Sequence, residues 1–174
     1  MIFMIPSEKG GFMNSILSKI LAGIALIFVV VQFFGPDQTL PDADPAKDFL
    51  ANTNPPQEVT TIIKTACYDC HSYQTKYPWY AGIEPLSWWL QDHIEHGRDE
   101  LNFSEWTDYT TRRADHKLEE AIELVEEEEM PLPSYTRVHW EANLTDQQRE
   151  ELNKWFTSVR EQLPSEPEDQ TEED

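Results

Sequence analysis

The stretch Cys67-Tyr68-Asp69-Cys70-His71 decides how this chain of 174 residues is interpreted. Two cysteines three positions apart, followed at once by a histidine, are the attachment signature of a c-type haem. On one helical turn both thiols can reach the two vinyl groups of a porphyrin, while the histidine lies under the iron as its proximal ligand. The pentapeptide therefore predicts one covalent haem c, attached through Cys67 and Cys70 and ligated by His71.

Three other kinds of site use the same cysteine spacing. A redox-active dithiol is expected beside a strand-helix-strand pattern, and no strand-rich segment precedes Cys67. A structural zinc site needs four ligands, and the chain has only 2 cysteines. A disulfide between Cys67 and Cys70 would leave the adjacent His71 without a role. Haem attachment is favoured over all three.

The N-terminal part contains an uncharged, almost wholly apolar run, Ile20–Phe34, with Lys19 before it and Asp37 after it. A positive charge before such a run and a negative charge after it predict that the C-terminal part lies outside the cytoplasm. A full span needs about 20 residues, so we extend the run back through Ile16 with Lys19 snorkelling. We expect a single membrane helix.

A cleavable signal sequence is the alternative for this segment. Nothing like Ala-x-Ala follows Phe34, and an uncleaved anchor is therefore favoured. The predicted location is the cytoplasmic membrane, crossed once, with the haem domain in the periplasm. Export agrees with the haem motif, because c-type haem is attached to reduced thiols outside the cytoplasmic membrane.

Composition divides the chain into four segments. Residues 1–35 form the targeting and anchor segment, and the proline-rich residues 36–56 read as a semi-extended linker. Residues 57–163 are the predicted haem-binding domain. The acidic residues 164–174 are predicted to be a disordered tail.

Apolar residues recur at helical spacing in four parts of the predicted domain. The first helix is expected from near Gln57 to the haem motif, and the second between Pro85 and a stop at Gly97. The third begins near Thr110. The fourth follows Thr145, which has Gln at the third position after it as in a capping box. No segment shows a convincing strand pattern, so the predicted class is all-α.

Met130 is the candidate for the distal ligand of the iron. It precedes Pro131 and Pro133 in a loop after the acidic third helix, and the chain's other methionines all lie in the targeting segment. Met/His ligation raises a haem potential into the range of electron carriers. The alternative for Met130 is a core side chain that fills a gap. The competing ligands are His93, His96, His116 and His139.

Other side chains are expected to surround the porphyrin. Aromatic residues are dense between positions 77 and 89, and Trp79 and Tyr80 are predicted to line the haem. Arg98 and Arg112 are candidates to pair with its propionates.

Several longer stretches resemble the bacterial haem-binding domain family, which comprises small single-haem c-type proteins with an N-terminal membrane segment. The matching stretches are Cys67–Tyr80, Glu84–Trp88, His96–Trp106 and Met130–Tyr135. This resemblance covers roughly residues 56–163 and implies a cytochrome c-like helical fold. It also implies thioethers at Cys67 and Cys70, with His71 proximal and Met130 distal.

The formal net charge is −20 at pH 7. Such a charge excludes a nucleic-acid binder and favours a redox partner with a basic face. The leading interpretation is an electron carrier, rather than an enzyme, in which the iron cycles between two oxidation states. The alternative is an open-site haem enzyme or sensor, in which Met130 leaves the iron free for peroxide or a diatomic gas.

Overall fold

The computed structural model describes residues 9–164, and within this range the chain forms helices and turns without a strand. The prediction of an all-α protein is confirmed. The α-helices are α1 (Lys9–Val31), α2 (Phe49–Thr53), α3 (Gln57–Ala66), α4 (Tyr68–His71), α5 (Leu86–Glu100), α6 (Thr111–Glu126), α7 (Pro133–Thr136) and α8 (Asp146–Gln162). Short 3₁₀ segments are Pro45–Lys47, Trp79–Gly82, Phe103–Asp108 and Trp140–Ala142.

The chain divides into two compact units. The smaller comprises the N-terminal residues up to Gln38 together with residues 78–91. Within it, the Gln32 side chain donates to the Glu84 carbonyl oxygen at 3.1 Å and accepts from the Glu84 N–H at 3.0 Å. Trp88 Nε1 donates to the Phe34 carbonyl oxygen at 2.7 Å. The residues after α1 are thus tied to the turn before α5.

Helix α1 covers most of the apolar run that predicted a membrane helix. None of the helices within residues 9–164 combines the length and the apolarity that crossing a membrane requires. The first eight residues of the predicted anchor lie outside the described residues, as do residues 165–174 of the predicted acidic tail.

The larger unit comprises residues 39–77 and the chain from Asp92 onward, and it contains the hydrophobic core. Helix α6 packs along α8, and α3 also contacts α8. Phe49 is at the centre of an aromatic cluster, with ring centroids 5.1 Å from Phe103, 4.8 Å from Trp106 and 5.9 Å from Phe156. Edge-on and tilted pairs of this kind stabilise a core beyond the area they bury.

Phe49 lies within residues 36–56, which were predicted to form a semi-extended linker, but its side chain is part of the core. Phe49 is fully buried, and the Asp48 carboxylate before it caps α2 by accepting from the Leu50 N–H at 2.9 Å. The same carboxylate accepts from the Tyr68 hydroxyl at 2.9 Å. The second half of the proline-rich segment therefore belongs to the folded core. Sequence analysis did not detect α2 in this proline-rich segment, because a single short helical turn shows no apolar periodicity.

Helix α5 ends later than predicted. The helix continues through Gly97 to Glu100, so Gly97 is not its stop. A Cβ at position 97 would lie 3.1 Å from the Cys70 carbonyl oxygen and 3.4 Å from the His71 Cε1. The glycine therefore permits close packing of α5 on the cysteine-histidine motif, and it does not end the helix.

The predicted starts of the last two long helices are confirmed. The Thr110 side chain accepts from the Arg113 N–H at the start of α6. Thr145 and Gln148 form the capping box of α8, in which each side chain bonds the other residue's backbone N–H. Leu118 on α6 and Leu152 on α8 are fully buried, as expected from the apolar stripes.

Candidate functional site

The two cysteines and the histidine lie on one tight turn. Cys67 joins α3 to α4, and its carbonyl oxygen accepts from the Cys70 N–H at 3.2 Å and from the His71 N–H at 2.9 Å. Neither cysteine is in a disulfide. This turn presents both thiols and the imidazole to the same cavity.

The cavity has a volume of about 620 Å³ and a mainly apolar lining. Its walls come from the end of α3, from α4, from the C-terminal half of α5, from α6 and from the loop that follows α6. The volume lies within the range of about 300–1,000 Å³ that is usual for cofactor and ligand sites. The lining side chains that carry a sulfur or an imidazole nitrogen are Cys67, Cys70, His71, His93, His96 and Met130.

Burial raises the pKa of both thiols. The pKa of Cys67 rises to about 12 and that of Cys70 to about 11, from an ordinary value of 9.0. A redox-active dithiol needs the opposite shift, since its attacking sulfur must be a thiolate near neutral pH. The protonated pair therefore argues against the dithiol alternative.

His71 has one ring nitrogen engaged by the backbone. Its Nδ1 lies 2.9 Å from the Leu101 carbonyl oxygen, at the point where the chain leaves α5. Because a carbonyl only accepts, Nδ1 donates and Nε2 retains its lone pair for a metal. Burial lowers the pKa of His71, which favours the neutral imidazole that a metal binds.

Met130 enters the cavity wall from a turn that ends α6. Glu128 adopts a left-handed conformation, with φ of 60°, and reverses the chain. The Met130 N–H then donates to the Leu124 carbonyl oxygen at 2.9 Å. Met130 is partly buried against the core, so it contributes both to packing and to the cavity.

The family comparison agrees with this donor set. The family model described as a haem-binding domain matches residues 26–158. The chain belongs to this haem-binding domain family. Neither the curated proteins nor the solved structures contain a significant match to it.

The cavity fits the haem-binding assignment on its own chemistry. Two thiols, an imidazole whose Nε2 keeps its lone pair and a thioether line one mainly apolar space, and these are groups that can attach or ligate a haem. Within residues 9–164 no group of three or more His, Cys, Asp or Glu side chains could hold a metal ion. The zinc alternative, which needs four protein ligands, therefore has no site in the described chain.

The cysteine-histidine motif is bonded to helix α7, which follows the loop that contains Met130. The Tyr135 hydroxyl of α7 donates to the Asp69 carboxylate at 2.8 Å. The other oxygen of Asp69 accepts from the Lys76 N–H at 2.9 Å. Asp69 lies between the two cysteines, so the motif and α7 are joined by a direct hydrogen bond. Sequence analysis did not identify this pair, because its partners are far apart along the chain.

Arg98 is bonded to the loop that follows the cysteine-histidine motif. Its Nε donates to the Ser72 carbonyl oxygen and its Nη2 to the Thr75 hydroxyl, each at 2.9 Å. Its guanidinium also lies 5.3 Å from the centre of the Tyr73 ring. Arg98 is not among the residues that line the cavity, and its predicted pairing with a propionate stays a prediction.

Trp79 and Tyr80 belong to the smaller unit. Their rings meet edge-on at 5.8 Å, and the Trp79 side chain is 85% exposed. Their predicted contact with the haem stays a prediction.

Two of the four competing histidines line the haem-binding cavity, His93 and His96. His139 stacks on the Tyr135 ring, with centroids 4.2 Å apart. His116 lies on the outer face of α6, where its imidazole is 3.4 Å from Glu120. Of the competing ligands, His93 and His96 on α5 therefore lie at the cavity, and the identity of the distal ligand stays a prediction.

Lys117 was not identified from the sequence. Its side chain is only 13% exposed, and its ammonium donates to Glu100 at 3.0 Å and to Glu120 at 3.1 Å, all three residues lining the cavity. The chain therefore places one lysine between two carboxylates at the cavity. Glu120 is an ordinary i,i+3 neighbour of Lys117, but Glu100 lies on a different helix, so the sequence did not reveal the group.

Proposed function

We propose that this protein is a c-type electron carrier with haem attached through Cys67 and Cys70 and ligated by His71 and Met130. The observation that supports it is the convergence of these four side chains on one mainly apolar cavity. An electron carrier needs no acid-base group. The turn brings the two thiols together, and the His71 Nε2 and the Met130 thioether can serve as iron ligands.

Attachment of the haem uses the protonated form of the two thiols, which is the form that burial favours. Cys67 and Cys70 would hold the haem by thioether bonds, each S–H adding across one vinyl double bond so that sulfur would bond to one carbon and the proton would go to the other. The addition needs no oxidant, provided that the two thiols are reduced. The raised pKa values of Cys67 and Cys70 keep them protonated at neutral pH.

When bound, haem iron supplies one-electron chemistry between its ferrous and ferric states. In the proposal the chain contributes ligands, orientation and a dry surrounding. Leu101 orients the His71 imidazole, and Phe103 packs edge-on against it at 6.4 Å. An apolar cavity disfavours the more highly charged ferric centre and, like a methionine ligand, raises the potential.

The first test compares ferric absorption spectra of the haem-loaded protein and its Met130→Ala variant. We expect the weak long-wavelength sulfur-to-iron band in the wild type and its loss in the variant. The matched control is Leu132→Ala, which alters the same cavity wall without removing a ligand. A high-spin wild-type spectrum, or a spectrum insensitive to Met130, would sink methionine ligation and favour the open-site haem enzyme or sensor, or ligation by His93 or His96.

A second part of the proposal concerns location. We propose that the N-terminal segment directs export and holds the protein at the cytoplasmic membrane, with the haem domain in the periplasm. The support is an apolar sequence whose large side chains, such as Leu17, Leu21 and Ile24, are more than half exposed in α1. Fractionation of cells that express the full chain or residues 36–174 tests it. Recovery of both proteins in the same soluble fraction would contradict membrane attachment.

The redox partner is the third part. We propose a protein with a basic face, supported by the net charge of −20.

A further inference from the structure

Arg149 connects three parts of the larger unit through one nitrogen. It lies in the first turns of α8, and its Nη1 donates to the Val125 carbonyl oxygen at 2.9 Å and to the Met130 carbonyl oxygen at 3.1 Å. Val125 belongs to the last turn of α6. A single guanidinium therefore holds the end of α6 and the loop with the distal candidate against the start of α8.

The backbone of Met130 is thus held on both sides. Its N–H donates to the Leu124 carbonyl oxygen, and its carbonyl oxygen accepts from Arg149. Hydrogen bonds from a charged donor are about twice as strong as those between neutral groups. Arg149 itself is partly buried and is not among the residues lining the cavity. It acts on the site only through the backbone that it holds.

We propose that Arg149 is a positioning residue that keeps the Met130 sulfur in place as the distal ligand. Methionine has three rotatable bonds, so the side chain alone does not define where its sulfur lies. The hydrogen bond from Arg149 to the Met130 carbonyl oxygen restricts the loop that contains Met130. It therefore lowers the conformational entropy that is lost when the sulfur binds the iron. This inference rests on the proposed function, because it requires Met130 to be the ligand.

The test is competition for the distal position of the haem-loaded full chain. In Arg149→Ala we expect cyanide to bind the ferric protein about tenfold more tightly, since removal of groups that orient a ligand costs about 10- to 100-fold. The sulfur-to-iron band weakens in the same variant. A variant that weakens another contact between the same helices separates these changes from a general loss of stability.

Arg160 provides a matched control on the same helix. Its guanidinium also links α8 to α6, through Asp115 at 2.7 and 3.2 Å and Glu119 at 3.1 Å, without contacting Met130. We expect Arg160→Ala to bind cyanide as the wild type does. Equal effects in the two arginine variants would overturn the positioning role of Arg149.

Arg149→Leu decides the question if the alanine variant does not fold. Leucine keeps an aliphatic side chain at this position but has no N–H to donate to the Met130 carbonyl oxygen, so we expect the same gain in cyanide affinity. Wild-type affinity in the leucine variant would then overturn the inference. If the sulfur-to-iron band is lost in Met130→Ala but unchanged in Arg149→Ala, the positioning role of Arg149 is overturned and methionine ligation stands. Absence of the band in the wild type overturns both the inference and methionine ligation.

Discussion

Gly97 is a residue of helix α5 that packs tightly on the turn containing Cys70 and His71. The atoms that a Cβ would meet include a backbone carbonyl, which cannot rotate away. Alanine normally stabilises a helix interior by about 1 kcal/mol relative to glycine. At this position the gain is opposed by crowding, which costs about 1–3 kcal/mol in a packed core.

We therefore expect Gly97→Ala to lower the free energy of unfolding of the haem-loaded protein by about 1 kcal/mol. Denaturant unfolding measures it. Gly82→Ala is the control, because a Cβ there has no neighbour within 4 Å. Stabilisation by Gly97→Ala would show that α5 moves away from Cys70 without cost, contrary to the packing described.

Residue types alone revealed the donors of the candidate site but not what orients them. Cys67, Cys70 and His71 form a contiguous motif, and Met130 stood out as the sole methionine beyond the targeting segment. The Asp69–Tyr135 bond joins residues far apart in the sequence. Arg149 on α8 likewise bonds back to Met130 in the loop after α6. Such pairs leave no local pattern, so sequence analysis could not find them.

Among the elements, the long amphipathic helices were predictable because their apolar stripes repeat over several turns. Helices α3, α6 and α8 begin close to the predicted residues. The short α2 was not predictable, since Phe49 is an isolated apolar anchor in a proline-rich segment. The buried ring of Phe49 makes this part of the proline-rich segment a part of the core.

Phe49→Ala tests that assignment. We expect a loss of about 3–5 kcal/mol in the free energy of unfolding, as for other large core side chains replaced by alanine. The control is Leu40→Ala in the same proline-rich segment, because Leu40 is exposed and should change stability by less than about 0.5 kcal/mol. Equal, small effects in thermal or denaturant unfolding would restore the linker interpretation for the whole segment.

The contact between α6 and α8 also predicts a pH dependence. The Arg160 guanidinium holds the pKa of Asp115 below its ordinary value of 3.8. Between that lowered value and 3.8 the unfolded chain binds more protons than the folded one, so stability falls as the pH falls. Above pH 3.8 the contribution is fully present.

Asp115→Asn removes this titration. We expect the variant to be less stable than the wild type at neutral pH, and the difference to shrink as the pH falls below 3.8 in denaturant unfolding. Asp92→Asn is the control, since its carboxylate is largely exposed and does not take part in this contact. A difference that stays constant with pH would contradict a role for the charged pair.

At the scale of the whole molecule, charge is the dominant property. The net charge of −20 predicts fast association with a cationic redox partner at low ionic strength. We expect the rate of electron exchange with a basic redox protein to fall steeply as salt rises from about 0.01 M to 0.15 M, where the screening length shortens from about 30 Å to 8 Å. Stopped-flow mixing measures the rate.

An acidic redox protein of similar potential provides the comparison. Its exchange rate should rise with salt, because screening weakens the repulsion between two negatively charged proteins. Rates that respond equally to salt with both proteins would contradict electrostatic guidance by the surface charge.

The position of Arg149 outside the cavity has an evolutionary consequence. With the proposed role of Arg149, a homologue that keeps every cavity-lining side chain would bind external ligands at the iron more tightly after a single codon change at this site. Descendants of one ancestor would then differ in ligand affinity while their ligand motifs remained identical. Classification of such proteins by motif alone would group them together, and the residue that separates them would be found on the last helix.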